Sequence, residues 1–239
     1  YRGLDQLIQV IVEEKVPIVF TSAGNPKTFT SLLKQQGIIV VHVVSSGKFA
    51  VKAQEAGCDA VVAEGFEAGG HNGREETTTM VLVPVICNAV SIPVIAAGGI
   101  ASGRQMLSAM VLGAEGVQIG SRFVASMEAS SHINFKEAVI TANEGETSLS
   151  LKQLTPVRML KNKFFYDVQQ AEQNCATPGE LKILLGNGRA KKGMFEGDLE
   201  HGELEIGQVS ALIKTILPAA EIVKQLWLDF EAALKNPVK

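Results

Sequence analysis

The sequence predicts an α/β fold in which short parallel strands alternate with helices. Five apolar, β-branched runs have the length of buried strands: Val16–Thr21, Ile38–Val44, Ala60–Ala63, Pro93–Ala97 and Gly116–Gly120. The stretches between them have the spacing of apolar residues that is typical of helices: Pro26–Gln36, Lys48–Gly57, Thr79–Val90 and Gly103–Leu112. Strands that are apolar on both faces and are joined by helices form parallel βαβ units.

The number of predicted strands leaves two architectures open. Each strand ends beside Gly, Ser or Thr residues, and the active sites of barrels and open α/β sheets form at these carboxyl ends. Five strands fit either an open parallel sheet or part of an eight-stranded barrel. In a barrel, three βα units of about 75–90 residues in total would precede this sequence. Because the chain starts with Tyr1 rather than Met, we expect that about three upstream units are missing.

The sequence divides into three predicted regions: 1–124, 125–206 and 207–239. Residues 1–124 contain the βα units of the barrel. Residues 125–206 are charged and punctuated by glycine, and we expect a helical cap over the mouth of the barrel with no strand in it. Within this cap, Leu154–Asp167 is predicted as one helix and Lys191–Gly202 as a mobile loop.

Residues 207–239 are predicted to close the barrel with two helices. These helices fall at Gly207–Ile216 and Pro218–Leu234. The second helix has an apolar stripe at helical spacing. Trp227 lies in this stripe and is expected to anchor the core rather than to contact a ligand.

The composition excludes several classes of protein. The 239 residues include 22 Lys and Arg against 25 Asp and Glu, a net charge of −3, which argues against nucleic acid as a partner. The apolar runs are too short to cross a membrane, and no signal-peptide pattern is present. Three widely spaced cysteines form neither a disulfide framework nor a zinc motif. We therefore expect a cytoplasmic protein without a metal site.

Two glycine-rich loops follow the fourth and fifth predicted strands. Glycine in such loops lets a phosphate group approach backbone N–H groups without obstruction by a Cβ atom. Barrels commonly bind phosphate at the loops after strands 7 and 8. The alternative is that these glycines only form tight turns. The candidate cofactor-binding residues in the two motifs are Ala97, Gly98, Gly99, Gln118, Gly120 and Ser121.

A third glycine-rich loop, Glu64–Gly73, carries His71 at the end of the third strand. A histidine in such a loop is free to meet a ligand, and an imidazole suits acid–base catalysis at neutral pH. We interpret His71 as the candidate catalytic residue. Glu67 and Gly70 in the same loop, and His132 in a stretch that resembles a helix N-cap, are candidate substrate-binding residues. No Walker A, GxSxG or GxGxxG motif occurs, which weakens the NTPase, hydrolase and Rossmann interpretations.

Three motifs in a fixed order resemble one superfamily of flavoenzymes. The motifs are Ala63–Gly73 (AEGFEAGGHNG), Ile92–Gly103 (IPVIAAGGIASG) and Leu112–Phe123 (LGAEGVQIGSRF). They are similar to the FMN-dependent enoyl-acyl-carrier-protein reductase II and nitronate monooxygenase (2-nitropropane dioxygenase) superfamily. The similarity runs from the first helix to about Lys136 and recovers around Gly207.

The resemblance implies a TIM barrel with a helical insertion after its last strand and with FMN at the carboxyl-end mouth. Gly98, Gly99, Gly120 and Ser121 match the family's phosphate-binding positions, with Ser121 in a place where the family often has Thr. His71 matches the histidine that faces the flavin and the substrate. The family's amino-terminal Gly-Gly-Met-like motif has no counterpart in this sequence.

The resemblance leaves the reaction open. In the reductase of fatty-acid synthesis, NAD(P)H reduces FMN, and FMN reduces an enoyl thioester that is small or bound to acyl carrier protein. In the monooxygenase, an alkyl nitronate reduces FMN and O2 reoxidises it without a nicotinamide. AEGFEAGGH, Thr77–Thr79 and SSHINFKEAVI favour the reductase. A non-redox barrel that binds a sugar phosphate stays open, as does a homodimer.

Overall fold

The structure is a computed structural model that describes residues 3–238. Its first six strands are β1 (Ile18–Thr21), β2 (Ile39–Val44), β3 (Ala60–Glu64), β4 (Gly70–His71), β5 (Val94–Ala97) and β6 (Gly116–Gln118). Five of them form a parallel sheet in the order β1-β2-β3-β5-β6. Each of these five strands overlaps one of the predicted runs, so the alternating α/β pattern is confirmed.

Helices connect the strands and then continue beyond the sheet. They are α1 (Leu4–Glu13), α2 (Thr30–Gln35), α3 (Gly47–Glu55), α4 (Thr79–Cys87), α5 (Gly103–Val111), α6 (Ser121–Val124), α7 (Ile133–Thr141), α8 (Lys163–Gln173), α9 (Pro178–Leu185) and α10 (Ala219–Lys235). Serine caps start two of the connecting helices. The hydroxyl of Ser46 accepts the Phe49 N–H, and that of Ser102 accepts the Gln105 N–H.

The parallel sheet separates two apolar layers. Alternate residues of a strand face opposite sides of a sheet. Val40 and Val61 therefore pack against the helices in the larger cluster, whereas Val41, Val62 and Ala97 form a small cluster on the other face. A parallel sheet that curls around a small apolar interior, with helices outside, is the arrangement of a TIM barrel. The predicted fold class is confirmed for these five βα units.

The expectation that residues 125–206 contain no strand is wrong. Strands β7 (Thr147–Ser150) and β8 (Val157–Leu160) form an antiparallel hairpin, and β4 pairs with β8 to give a second sheet in the order β4-β8-β7. All four residues of β8 are buried, so their pattern does not distinguish a strand from a buried helix. The helix predicted over Leu154–Asp167 starts only at Lys163.

Part of the segment Lys191–Gly202, which is predicted as a loop, is helical. Lys191–Phe195 forms a π-helical turn. Gly193 in this turn packs closely on Gly202, and a Cβ atom added at Gly193 would lie 2.8 Å from the Glu203 carbonyl oxygen. The turn therefore brings Glu203 and the residues after it towards the barrel.

One of the two closing helices is confirmed in type, and the other is shorter than predicted. Gln208–Leu212 is only a turn of 3₁₀ helix, whereas α10 packs along α5. Gly103 allows this packing, since a Cβ atom there would run into the backbone nitrogen of Phe230. None of the helices within residues 3–238 is long and apolar enough to cross a membrane.

Candidate active site

A cavity of about 180 Å³ lies at the carboxyl ends of β5 and β6. We call it the strand-end cavity. All six predicted cofactor-binding residues line it: Ala97, Gly98, Gly99, Gln118, Gly120 and Ser121. The two sequence motifs are therefore brought to one place, because neighbouring parallel strands present their carboxyl ends at the same edge of the sheet.

The glycines of this cavity differ in whether the protein itself would tolerate a side chain in their place. Gly98 and Gly99 have φ angles of +92° and +73°, a backbone conformation that other residues rarely adopt. A Cβ atom at Gly98 would also lie 2.9 Å from the Gly65 carbonyl oxygen. At Gly120, by contrast, an added Cβ atom would meet nothing within 4 Å. The protein itself thus requires glycine at position 98 but not at position 120.

Hydrogen-bond donors face this space. The Ser121 hydroxyl oxygen accepts the Gly207 N–H at 3.0 Å, so its own proton is available to a ligand. Among the described residues, the backbone N–H groups of Gly99 and Gly120 have no acceptor. Free N–H groups and a hydroxyl are the donors that bind phosphate in proteins.

Glu64 joins the strand-end cavity to a larger one. It is the last residue of β3 and also lines a cavity of about 740 Å³, which we call the mouth cavity. Burial raises the pKa of the Glu64 carboxyl. Glu64 was not predicted as a site residue, although its position in β3 places it on the same face as Ala60 and Val62, towards the barrel interior.

His71 lies between the mouth cavity and a third cavity of about 340 Å³, the side cavity. Its backbone pairs with Val157 of β8. The next residue continues this attachment, since the Asn72 N–H donates to the Pro156 carbonyl at 2.9 Å. The side chain is exposed, while the backbone that carries it is fixed by the second sheet.

Arg158 holds the His71 loop in place, and the sequence analysis did not identify it. It is 1% exposed. Its Nε–H donates to the Phe66 carbonyl at 3.1 Å, and its guanidinium lies over the Phe66 ring, 4.4 Å from the centroid. Burial lowers the pKa of Arg158, while the charges of Glu67 and Glu76 oppose this shift. No local sequence pattern marks this arginine, because its partners lie far away along the chain.

Two carboxyls, of the half-buried Glu205 and the buried Glu203, lie beside His71. Glu205 forms an antiparallel bridge with Met159 of β8, and its Oε2 would lie 2.6 Å from a Cβ atom added at Gly70. Burial raises the pKa of Glu205, and the charge of His71 opposes this shift. Burial and the charge of Glu205 raise the pKa of Glu203 to about 7.

The three predicted substrate-binding residues all have partners within the protein. Glu67 Oε2 accepts the N–H and the hydroxyl of Thr79, each at 2.9 Å, at the start of α4. Gly70 pairs with Arg158 and leaves room for Glu205. His132 Nδ1 accepts the Asn134 N–H as the N-cap of α7. Their contact with substrate stays a prediction.

Metal ligands are not gathered at this site. Within residues 3–238, no group of three or more His, Cys, Asp or Glu side chains is placed to hold a metal ion. The three cysteines are free thiols. The arrangement instead combines hydrogen-bond donors, buried or half-buried carboxyls and an imidazole around adjoining cavities.

A parallel sheet with glycine-rich loops around a cavity at its carboxyl ends is the arrangement in which barrel enzymes frequently bind phosphorylated ligands. Comparison with known families makes this assignment specific. Residues 2–229 match the model of the nitronate monooxygenase family. The chain belongs to this family, and the resemblance stated from the sequence motifs is confirmed.

Individual relatives and solved structures agree with this assignment. A probable nitronate monooxygenase of Staphylococcus aureus is 36% identical over 230 residues, which are 92% of this chain and 64% of the relative. FabK from Thermotoga maritima has a TM-score of 0.93 and 41% identity over 99% of this chain and 75% of its own. Nitroalkane oxidase from Streptomyces ansochromogenes has a TM-score of 0.81 and 26% identity, covering 99% and 70%. The chain spans less than two thirds of the curated relatives' length.

Proposed function

We propose that this protein is an FMN-dependent oxidoreductase. The observation that carries the proposal is the strand-end cavity, where glycines, free N–H groups and the Ser121 hydroxyl face an open space. Gly120 supports a ligand in particular, because nothing in the protein requires glycine there. Membership of the nitronate monooxygenase family supports redox chemistry rather than the non-redox phosphate barrel.

The residues present fit a flavin mononucleotide. Gly98, Gly99, Gly120 and Ser121 would hold its phosphate, with Ala97 and Gln118 in the walls of the same cavity. Glu64 would lie between the phosphate and the mouth cavity. Bound FMN supplies electron transfer between two substrates, and the protein supplies placement and electrostatics.

We favour reduction of an enoyl thioester by NAD(P)H as the reaction. FabK, the enoyl reductase of this superfamily, has higher identity to this chain than nitroalkane oxidase has, over the same 99% of the chain. In this reaction the double bond of the thioester gains a hydride at the β-carbon and a proton at the α-carbon. His71 would give the proton, and its loop lies beside the cavities that would admit the thioester.

The second candidate is oxidation of alkyl nitronates with O2. The family description and the curated relatives' names favour it. No nicotinamide would be needed, and His71 would act as a base if a neutral nitroalkane were the substrate. Both candidates share the flavin site and the histidine, so the site geometry supports them equally.

The visible spectrum of the purified full-length protein tests these proposals. We expect a yellow protein whose flavin absorbance NADPH bleaches under anaerobic conditions, and whose colour returns on addition of an enoyl thioester. Bleaching by a nitronate but not by NADPH would overturn the reductase in favour of the monooxygenase. A colourless protein that does not take up FMN would overturn both candidates.

A further inference from the structure

The side cavity has an apolar wall and a polar floor. Leu151, Leu154, Val157 and Leu185 form the wall, and Glu203 and Glu205 lie at the floor. The cavity opens beside His71, which also lines the mouth cavity. A molecule that reacts next to His71 can therefore extend into the side cavity.

Glu203 is a buried acceptor that the protein leaves unused. Its exposure is 6%, and no donor among the described residues forms a hydrogen bond with its carboxyl. The nearby Arg189 is no such donor: three of its five N–H groups bind the carbonyls of Leu184, Leu185 and His201 at 2.8–3.0 Å, and its charge acts on Glu203 without a hydrogen bond. Glu203 lines the side cavity, so a donor on a ligand held there can reach its carboxyl and supply the partner that buried polar side chains nearly always have.

We propose that the side cavity binds the amide-bearing arm of an acyl thioester, with Glu203 accepting the amide N–H. This inference rests on the proposed reductase function and names the part of the substrate that this cavity recognises. In a pantetheine thioester, two methylene groups separate the sulfur from the first amide nitrogen. A thioester whose α-carbon meets His71 thus carries its amide within the neighbouring cavity.

The chemistry of the cavity favours an amide over other ligands. An all-hydrocarbon chain would satisfy the leucines but leave Glu203 without a donor. A phosphate would be repelled by the Glu203 and Glu205 carboxyls. An amine cation would face the charges of Arg189 and Lys182, which also line the cavity. A neutral group with an N–H donor on an apolar arm fits both surfaces.

A pair of matched substrates tests the proposal with the FMN-loaded full-length enzyme. S-crotonyl-N-acetylcysteamine has the amide, and S-ethyl thiocrotonate lacks it. In Glu203→Leu we expect the KM of the amide-bearing thioester to rise by about tenfold, with kcat and the KM of the ethyl thioester nearly unchanged. Glu203→Gln keeps an acceptor oxygen and should remain near the wild type. Glu137→Leu, on the exposed face of α7, is the control.

Other kinetic results would contradict binding of the thioester's amide-bearing arm in the side cavity. Equal effects on both thioesters, or on neither, would overturn the proposal. A rise in the KM of NADPH alone would assign the cavity to the amide of the nicotinamide instead. If Glu203→Leu does not fold, saturation-transfer NMR replaces the kinetic test. It measures binding of N-acetylcysteamine to the wild type and to Glu203→Gln at pH 6 and 8. Absence of binding to both proteins would overturn the proposal. Wild-type enzyme that reduces neither thioester would instead refute the proposed function.

Discussion

Gly98 and Gly120 hold matching places in two loop motifs, but for different physical reasons. Gly98 combines a φ angle of +92° with a close approach to the Gly65 carbonyl, so any side chain there strains the protein itself. Gly120 has an ordinary negative φ and open space around it. A substitution at Gly120 therefore tests ligand binding without straining the protein itself, whereas a substitution at Gly98 does not.

Gly120→Val should therefore reduce FMN retention without disturbing the fold. Its branched side chain would occupy the space in which a phosphate meets the backbone N–H groups. We expect a purified variant with less than about a tenth of the wild-type flavin and a melting temperature of the apoprotein that is nearly unchanged. Gly179→Val is the control, because a Cβ atom at position 179 in α9 would meet only the Thr177 hydroxyl oxygen, at an ordinary 3.8 Å, and Gly179 does not line the cavity. Stoichiometric FMN in Gly120→Val would contradict the phosphate assignment.

His71→Ala should lower turnover at least about tenfold while FMN content stays intact. Positioned general acids and bases typically contribute 10²–10⁴-fold to a rate, and His71 does not line the strand-end cavity. Turnover and flavin absorbance, measured on the same preparation, check this expectation. His201→Ala, an exposed histidine in the cap, should change neither. Unchanged turnover in His71→Ala would remove His71 from the catalytic role.

Glu203 should make stability depend on pH. Its pKa rises from an ordinary 4.5 to about 7 on folding, so the folded state binds the proton more tightly. This contribution to stability is complete below pH 4.5 and is lost as the pH rises through 7, at most about 3 kcal/mol. We expect the melting temperature of the wild type to fall more between pH 5 and pH 8 than that of Glu203→Gln. Equal falls would show that Glu203 titrates normally.

At the scale of elements, the second sheet carries the His71 loop. The barrel supplies only the two residues of β4, and the hairpin β7–β8 supplies the rest. Arg158 of β8 attaches the loop a second time through the Phe66 carbonyl and ring. The position of His71 is thus decided by the cap as much as by the barrel.

Arg158→Met should loosen this loop. The variant loses the hydrogen bond to Phe66 and the contact with its ring, while removal of a buried charge limits the cost in global stability. We expect the backbone amides of residues 66–72 to exchange hydrogen at least about tenfold faster, with lower turnover and unchanged FMN content. Arg74→Met is the matched control, since Arg74 is exposed and donates to the β7–β8 loop. Unchanged hydrogen exchange in Arg158→Met would contradict the role of Arg158 in holding the His71 loop in place.

At the scale of the whole molecule, three cavities meet around a few shared residues. Glu64 joins the strand-end and mouth cavities, His71 joins the mouth and side cavities, and Glu205 joins the side and strand-end cavities. Glu64 and His71 belong to the same loop, whereas Glu205 lies more than 130 residues further along the chain. Their arrangement around one space gives an extended ligand several subsites next to one imidazole.

The parallel sheet of this chain has an apolar edge. Ile18 and Phe20 of the edge strand β1 are 47% and 51% exposed, and such an edge promotes association of chains. We expect the 239-residue chain to self-associate with increasing concentration in light scattering, and Phe20→Lys to reduce this association. Val111→Lys, at an isolated exposed residue of α5, should not. Equal association of all three proteins would exclude this edge as its cause.

The sequence by itself determined the elements whose signals are local. The five parallel strands follow from short β-branched runs, and the two glycine-rich loops that line the strand-end cavity follow from glycines directly after two of these runs. His71 stood out because it lies in a glycine-rich loop at a strand end. These features depend on neighbouring residues, so they can be predicted without a knowledge of distant contacts.

Only the tertiary structure decided which distant residues meet. Trp227 illustrates this: it belongs to the apolar stripe of α10, but packing on α5 buries Leu226 and Phe230 and leaves Trp227 54% exposed. In the same way, β8 became a strand because β4 and β7 pair with it. Glu203 and Arg158 gained their roles from burial beside the His71 loop. Pairing and burial depend on contacts between residues far apart in the chain, which a local pattern does not contain.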